Sequence, residues 1–258
     1  MYWHSMGFWQ IDKVNDMNDL QQKGYIDDKN IYDIVVSPNE PHLACVLLVD
    51  TSSSMGESGA IHSLNEGIAR FKEQLSKDGM AKRRVDVAII EFNSIVTLVQ
   101  DFSPVFRLKD IKLTANGMTA MGEAIEFAID KVKERNNLYA EMGTPCFKPW
   151  IFMITDGLPT DNIENAIKKV QEEEAKGRFG KLRFIVLGVG NYDRNTMFQI
   201  TNRVLEMKDI DFSKTFDWMA ESMIEISVSR VGAEAIPGRL PVNMRKADPD
   251  RDIDVGWW

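Results

Sequence analysis

Short runs of branched apolar residues, alternating with segments of helical spacing, constrain this chain more than any other feature. VLLV at 46–49, RVDVAIIEF at 84–92, WIFMIT at 150–155 and LRFIVL at 182–187 are too short for buried helices. Their β-branched content reads as buried strands. Between and after them, apolar residues recur at three- and four-residue steps. Ile61, Leu64, Ile68, Phe71 and Leu75 predict a helix ending near 77, and Ile125, Ala128, Ile129 and Val132 predict a second. Ile163, Ala166, Ile167 and Val170 predict a third, 194–202 a fourth, and Phe216, Met219, Met223 and Ile226 a last one from 213 to about 230. Such alternation predicts a doubly wound, mainly parallel α/β sheet with helices on both faces. One pair differs. Residues 96–100 follow 84–92 across Asn93-Ser94, too short a link for a crossover, so they form a hairpin and supply one antiparallel edge strand. Residues 204–207 read as a short edge strand. Right-handed crossovers then place the first strand beside the one ending at Asp156, with a topological switch between them.

The flanks are of another character. Residues 1–41 are polar, with partial helical spacing over 12–22 and aromatics at Trp3, Phe8 and Trp9 that fit no period. Residues 233–258 carry Pro237, Pro241 and Pro249 and end in Trp257-Trp258, which predicts an extended tail. The expected organisation is therefore an N-terminal extension (1–41), one domain (42–232) and a C-terminal tail (233–258). A net charge of −8, without a basic stripe, argues against nucleic acid as a partner. No apolar window approaches the length of a membrane span, and no basic-then-apolar leader opens the chain. Cys45 and Cys146 are the only cysteines and have no C-x-x-C spacing, so reduced thiols and a cytoplasmic location are expected.

The run at 46–49 breaks directly into Asp50-Thr51-Ser52-Ser53-Ser54. Open α/β sheets bind ligands at the C-terminal ends of their strands, and Asp50 stands at one. Asp50, Ser52 and Ser54 offer one charge and two neutral oxygens, suited to a hard cation such as Mg²⁺. The same residues also make ordinary turns, and taken alone the turn is the better reading. Two further loops at strand or helix ends add oxygens: Thr119, after Gly117-Met118, and Asp156, within Thr155-Asp156-Gly157.

With these three segments in this order, the chain resembles the von Willebrand factor A (vWA) family. The five residues match its metal-ion-dependent adhesion site: D-x-S-x-S, a Thr in a Gly-containing loop, and the Asp of T-D-G. Asn65-Glu66-Gly67, Thr119 to Ile125, and Lys148-Pro149-Trp150 leading to Ile154-Thr155-Asp156-Gly157-Leu158-Pro159-Thr160-Asp161 are closer to the bacterial TerY/YegL-like branch, associated with tellurium resistance and stress operons. The resemblance implies a binding module rather than an enzyme. Ser52 and Ser54 would bind Mg²⁺ directly (with Mn²⁺ or Ca²⁺ as alternatives), Thr119 directly or through water, and Asp50 and Asp156 mostly through water. The open position would take an Asp or Glu carboxylate of another protein. Ter proteins, a PPM-type phosphatase or a protein kinase are the partners the branch suggests; an acidic residue of a second copy is the alternative. Ser53 replaces the family's usual Gly, Leu158 a commonly acidic residue, and the cysteine-rich tail of some TerY proteins is missing.

The competing reading is an Mg²⁺-dependent phosphohydrolase using Asp50. That chemistry needs a second Asp two residues on, where Ser52 stands, and no G-x-S-x-G or His partner supports a serine hydrolase. Other features have plain readings. Asp161 is expected to cap its own helix, and Gly188-Val189-Gly190 to be a strand-end turn lacking the rest of a dinucleotide fingerprint. His62 should lie on the surface and Glu172-Glu173-Glu174 on a solvated helix face. Met118 and Met121 are either core or an apolar rim to the site.

Overall fold

Residue 43 begins eight consecutive fully buried positions, and they form the strand on which the sheet is centred. The computed structural model describes residues 37–176, 181–232 and 239–248, together with Val35. Met1–Val36 and Ser37–Trp258 are separate units, and every described element belongs to the second. The expected helix at 12–22, the N-terminal aromatics and Trp257-Trp258 lie outside the described residues.

In chain order the elements are β1 (Leu43–Asp50), α1 (Ser53–Glu57), α2 (Ala60–Lys77), α3 (Ala81–Arg84), β2 (Val85–Phe92), β3 (Val96–Pro104), α4 (Met121–Glu141), β4 (Trp150–Thr155), α5 (Glu164–Ala175), β5 (Arg183–Gly188), α6 (Arg194–Ile200), β6 (Val204–Met207), α7 (Ser213–Val228) and β7 (Met244–Lys246). The sheet order is β3-β2-β1-β4-β5-β6-β7, with β2/β3 and β6/β7 antiparallel and the rest parallel. The chain leaves β1 for β2 on one side and later returns to β4 on the other. That is the expected switch point. The register aligns Asp50 with Phe92 and Val49 with Ile154, so the loops after β1, β2 and β4 open on one edge.

Four details differ from the sequence reading, the first being that β1 starts at Leu43, ahead of the expected residue 46. β3 continues to Pro104, beyond the expected residue 100. β6 is not an edge strand: β7, formed within the expected extended tail, covers it and gives the sheet a second antiparallel edge. The acidic run is only partly solvated. Glu173 is buried and pairs with Lys133 and Lys176, while Glu174 pairs with Arg203 and accepts from the Phe184 N–H and the Thr201 hydroxyl. Run composition carries no signal for cations that arrive from α4 and from the turn before β6.

The buried side chains of α2 (Leu64, Ile68, Phe71, Leu75) join Phe216, Met219 and Met223 of α7 in the core cluster on one face of the sheet. α2 approaches α7 closely at Gly67, where a Cβ would fall inside the van der Waals envelope of the fully buried Phe216 ring. Gly67→Ala is expected to cost about 1–3 kcal/mol, the usual range for overpacking. An unchanged denaturant midpoint would refute this close approach. Asn65, two residues earlier, holds the segment before α4: its Nδ2 donates to the Ile61 and Leu113 carbonyls, and its Oδ1 accepts from the Leu113 N–H.

The opposite end of the sheet holds a buried polar cluster. Asp86 of β2 accepts on one oxygen, Oδ2, from Arg135 Nη2 (2.8 Å), His42 Nδ1 (3.0 Å) and the Tyr139 hydroxyl. All four side chains are nearly or wholly buried. Cys45 is buried and Cys146 partly so, and both are free thiols. Among the described residues no helix is long and apolar enough to cross a membrane.

Candidate functional site

The apolar run of β1 ends because Asp50, although fully buried, must satisfy a carboxylate. It does so locally. Oδ1 accepts from the Ser52 N–H (2.8 Å) and Oδ2 from the Thr155 hydroxyl at the end of β4 (2.6 Å). The first bond is an Asx turn, which accounts for the local turn propensity. The second ties the neighbouring strand to it.

Beyond that turn the hydroxyls line up. Ser54 Oγ donates to Asp156 Oδ1 (2.7 Å), and Ser52 Oγ lies 3.1 Å from Ser54 Oγ. With Ser54's single proton directed at Asp156, Ser52 is the donor in that pair. Ser52 is buried while Ser54 is exposed, so the row runs from the interior to the surface. Ser53, where the family usually has glycine, points away. Its N–H and Oγ both donate to the Gly117 carbonyl, each at 3.1 Å, and this joins the first loop to the one bearing Thr119.

Gly157 locates the fifth residue. A Cβ placed there would lie 3.5 Å from Thr119 Oγ1, 3.7 Å from Asp50 Oδ2 and 3.9 Å from Ser54 Oγ. Oxygens from two separate segments, the loop after β1 and the Thr119 loop, therefore meet beside a third at one point that a side chain at 157 would fill. Asp50, Ser52, Ser54, Thr119 and Asp156 all converge at this end of β1 and β4.

The electrostatics fit a cation. Burial pushes the Asp50 carboxyl above the usual range, with a further push from Asp156; hydrogen bonds from Ser52 and Thr155 act against it. Burial likewise raises Asp156, with Glu57 adding to it and Ser54 opposing. The leading influences on either carboxyl include no lysine, arginine or histidine. Among the described residues no three His, Cys, Asp or Glu side chains are grouped to hold a metal. The candidate site instead takes three of its five donors from hydroxyls, a set suited to a hard divalent ion and poor for a soft one.

Two residues that the sequence did not single out for the site hold its loops together. Thr160 N–H donates to the Thr119 carbonyl (2.9 Å), and Thr160 Oγ1 accepts from the Thr119 N–H (3.1 Å). Asp161 does not cap its own helix. Its oxygens accept from the N–H groups of Gly122 (3.0 Å) and Glu123 (2.9 Å) in the first turn of α4; the N-cap of α5 is Ile163, which makes no side-chain cap, and Asn162 before it accepts from the Glu164 N–H (2.8 Å). A carboxylate beside an apolar periodic run gave the right function and the wrong helix. His62 is on the surface beside Glu66, Met121 is core, and Met118 is exposed.

Residues 45–217 match the family model for the von Willebrand factor type A domain. The chain belongs to this family. A comparison with curated proteins finds no match. Among solved structures, the vWA chain is similar to the pilus adhesin SpaC from Lactobacillus rhamnosus GG (14% identity, 72% of this chain, 31% of that one, TM-score 0.57). It is also similar to proximal thread matrix protein 1 from the mussel byssus (15%, 80% and 49%, TM-score 0.51). A third is the D319A mutant of the PilB minor pilin from Streptococcus sanguinis (14%, 72% and 62%, TM-score 0.51). At these identities the likeness is one of fold, and the chain spans less than two thirds of each of these proteins.

Proposed function

We propose that this vWA domain is a metal-dependent protein-interaction module. In this reading Ser52, Ser54 and Thr119 offer hydroxyl oxygens to a divalent cation, and Asp50 and Asp156 balance its charge from behind. The observation that carries it is the open point beside Gly157, within 4 Å of oxygens from Thr119, Asp50 and Ser54. Mg²⁺ is the ion the donors suit best, since it prefers oxygen and retains waters. When bound, the cation would supply an electrophilic position for an Asp or Glu carboxylate of a partner protein.

Binding is favoured over turnover. The phosphohydrolase reading needs Asp50 as a free nucleophile, yet both its oxygens accept hydrogen bonds, from Ser52 and Thr155. That an adhesin and a matrix protein share the fold supports the same choice. The TerY/YegL-like motifs support a role as an adaptor in a bacterial stress or tellurium-resistance system, working in the cytoplasm with Ter proteins, a PPM-type phosphatase or a protein kinase.

Thermal unfolding tests the site. A ligand bound only by the folded state at a hundred times its Kd adds about 2.7 kcal/mol. For a domain of this size that is a rise in Tm of roughly 5–10 °C on adding Mg²⁺. Ser52→Ala/Ser54→Ala should abolish the rise while keeping the metal-free Tm close to wild type. A wild-type Tm indifferent to Mg²⁺, Mn²⁺ and Ca²⁺ would overturn the proposal. So would metal-dependent phosphatase turnover that Asp50→Asn removes.

A further inference from the structure

Met118 and Leu158 flank the site residues Thr119 and Asp156-Gly157, and Ile95 sits on the neighbouring hairpin turn. They are exposed by 59%, 59% and 64%, and of the large apolar residues described only Val242 is more exposed. Single exposed apolar side chains are ordinary. Here three of the four most exposed fall on three different loops at one edge of the sheet.

Those loops are fastened to one another. Ser94 Oγ accepts from the Met118 N–H (2.9 Å), and the Asn93 carbonyl accepts from the Ala120 N–H (2.7 Å), which sets Ile95's turn against Met118's loop. Gly117 has φ +74°, and a Cβ there would press on Ser94, so this approach requires glycine. Thr160 ties Leu158's loop to Thr119 from the other side. The backbone thus ties the loops of Ile95, Met118 and Leu158 together at the end of the sheet that carries the hydroxyl row.

We infer that the partner's carboxylate arrives on a segment with bulky apolar side chains on both sides of it, and that Ile95, Met118 and Leu158 receive those side chains. This rests on the proposed cation site. Charge selects the segment. Glu57 acts on Asp156 through its negative charge. A run of acids would meet this repulsion; a lone carboxylate between uncharged neighbours places its one charge at the cation. A single carboxylate contact gives orientation, and the affinity must come from surface around it. Met118, unbranched and polarisable, can adapt to more than one apolar shape.

The test uses a displayed library of nine-residue segments, randomised around a fixed central Asp, selected on the full chain with Mg²⁺ and eluted with EDTA. Bulky apolar residues should be enriched next to the Asp. Ile95→Ser/Met118→Ser/Leu158→Ser should bind Mn²⁺ with wild-type affinity by paramagnetic resonance, yet retain the selected segments at least tenfold less. Metal-dependent segments without apolar neighbours, enrichment of acidic runs, or equal retention by the variant would each overturn the inference while leaving the cation site standing. If EDTA releases nothing from the wild type, the cation site itself falls and takes this inference with it. A metal-dependent doubling of mass in light scattering would make a second copy the occupant and overturn the assignment to another protein.

Discussion

Exchanging Arg135 for Met is expected to cost the fold about 3–5 kcal/mol, the range seen when one partner of a buried ion pair is removed. Asp86 is fully buried, and burial alone would push its carboxyl up. Arg135 and then His42 outweigh that, and hold it below its ordinary value of 3.8. The guanidinium also lies over the rings of Tyr139 (5.0 Å) and Phe102 (5.7 Å), which Met can still pack against. The loss therefore reports mainly the stranded charge. Its pH dependence separates the cases. With the folded value depressed, wild-type Asp86 contributes stability that is fully present above 3.8 and is lost as pH falls through the folded value. With Arg135 gone the folded value rises above the unfolded one, the folded state holds the extra proton, and the variant's deficit shrinks as pH is lowered from 7 towards 5. Asp86→Asn/Arg135→Met should recover part of the loss at pH 7. A deficit below about 1 kcal/mol, or one indifferent to pH, would show that the charge is not what destabilises the variant.

Asp161→Ala should weaken Mg²⁺ binding about 10- to 100-fold, as loss of a residue that orients a metal ligand generally does. It should also cost roughly 0.5–2 kcal/mol of stability, since two N–H groups in the first turn of α4 lose their acceptor. The effect is positional. Thr119 lies two residues before the first residue of α4, and Asp161 with Thr160 fixes that helix start and that loop against the segment carrying Asp156. A double-mutant cycle tests it. If Asp161 acts through Thr119, its removal from a Thr119→Ala protein should leave affinity nearly unchanged, because the ligand it orients is already gone. Equal losses in both backgrounds would mean that Asp161 acts by another route. Calorimetric titration with Mg²⁺ reads both numbers.

How much of this was legible in the residues depends on the range of the interaction. Period and length placed strands over 46–49, 84–92, 150–155 and 182–187 and the helices between them, because each pattern depends on neighbours a few residues away. The switch point followed from handedness and loop length alone. The five candidate residues were visible as three short motifs, and their convergence follows from where the sheet sets those strand ends: Thr119, Asp50 and Ser54 oxygens lie around Gly157, with Ser52 and Asp156 joined to them through Ser54. The helix that Asp161 caps was not legible, since a carboxylate before a periodic run is the same string whichever helix it serves. Glu173 and Glu174 failed for a related reason: their cations come from residues 133 and 203. β7 is three residues long, below the length at which alternation can be read.

That short strand bears on the order in which the protein can be assembled. β6 ends at Met207 and its outer neighbour at Lys246, so a ribosome making 5–20 residues per second needs roughly 2–8 s to supply the missing edge. During that interval the nascent sheet can already hold its switch point, with Asp50 beside Thr155, while the outer backbone groups of β6 stay unpaired. The newborn chain would then have the end that carries the candidate site formed before its open flank is closed. That flank is where a chaperone, or a second nascent chain, would first find an unpaired strand.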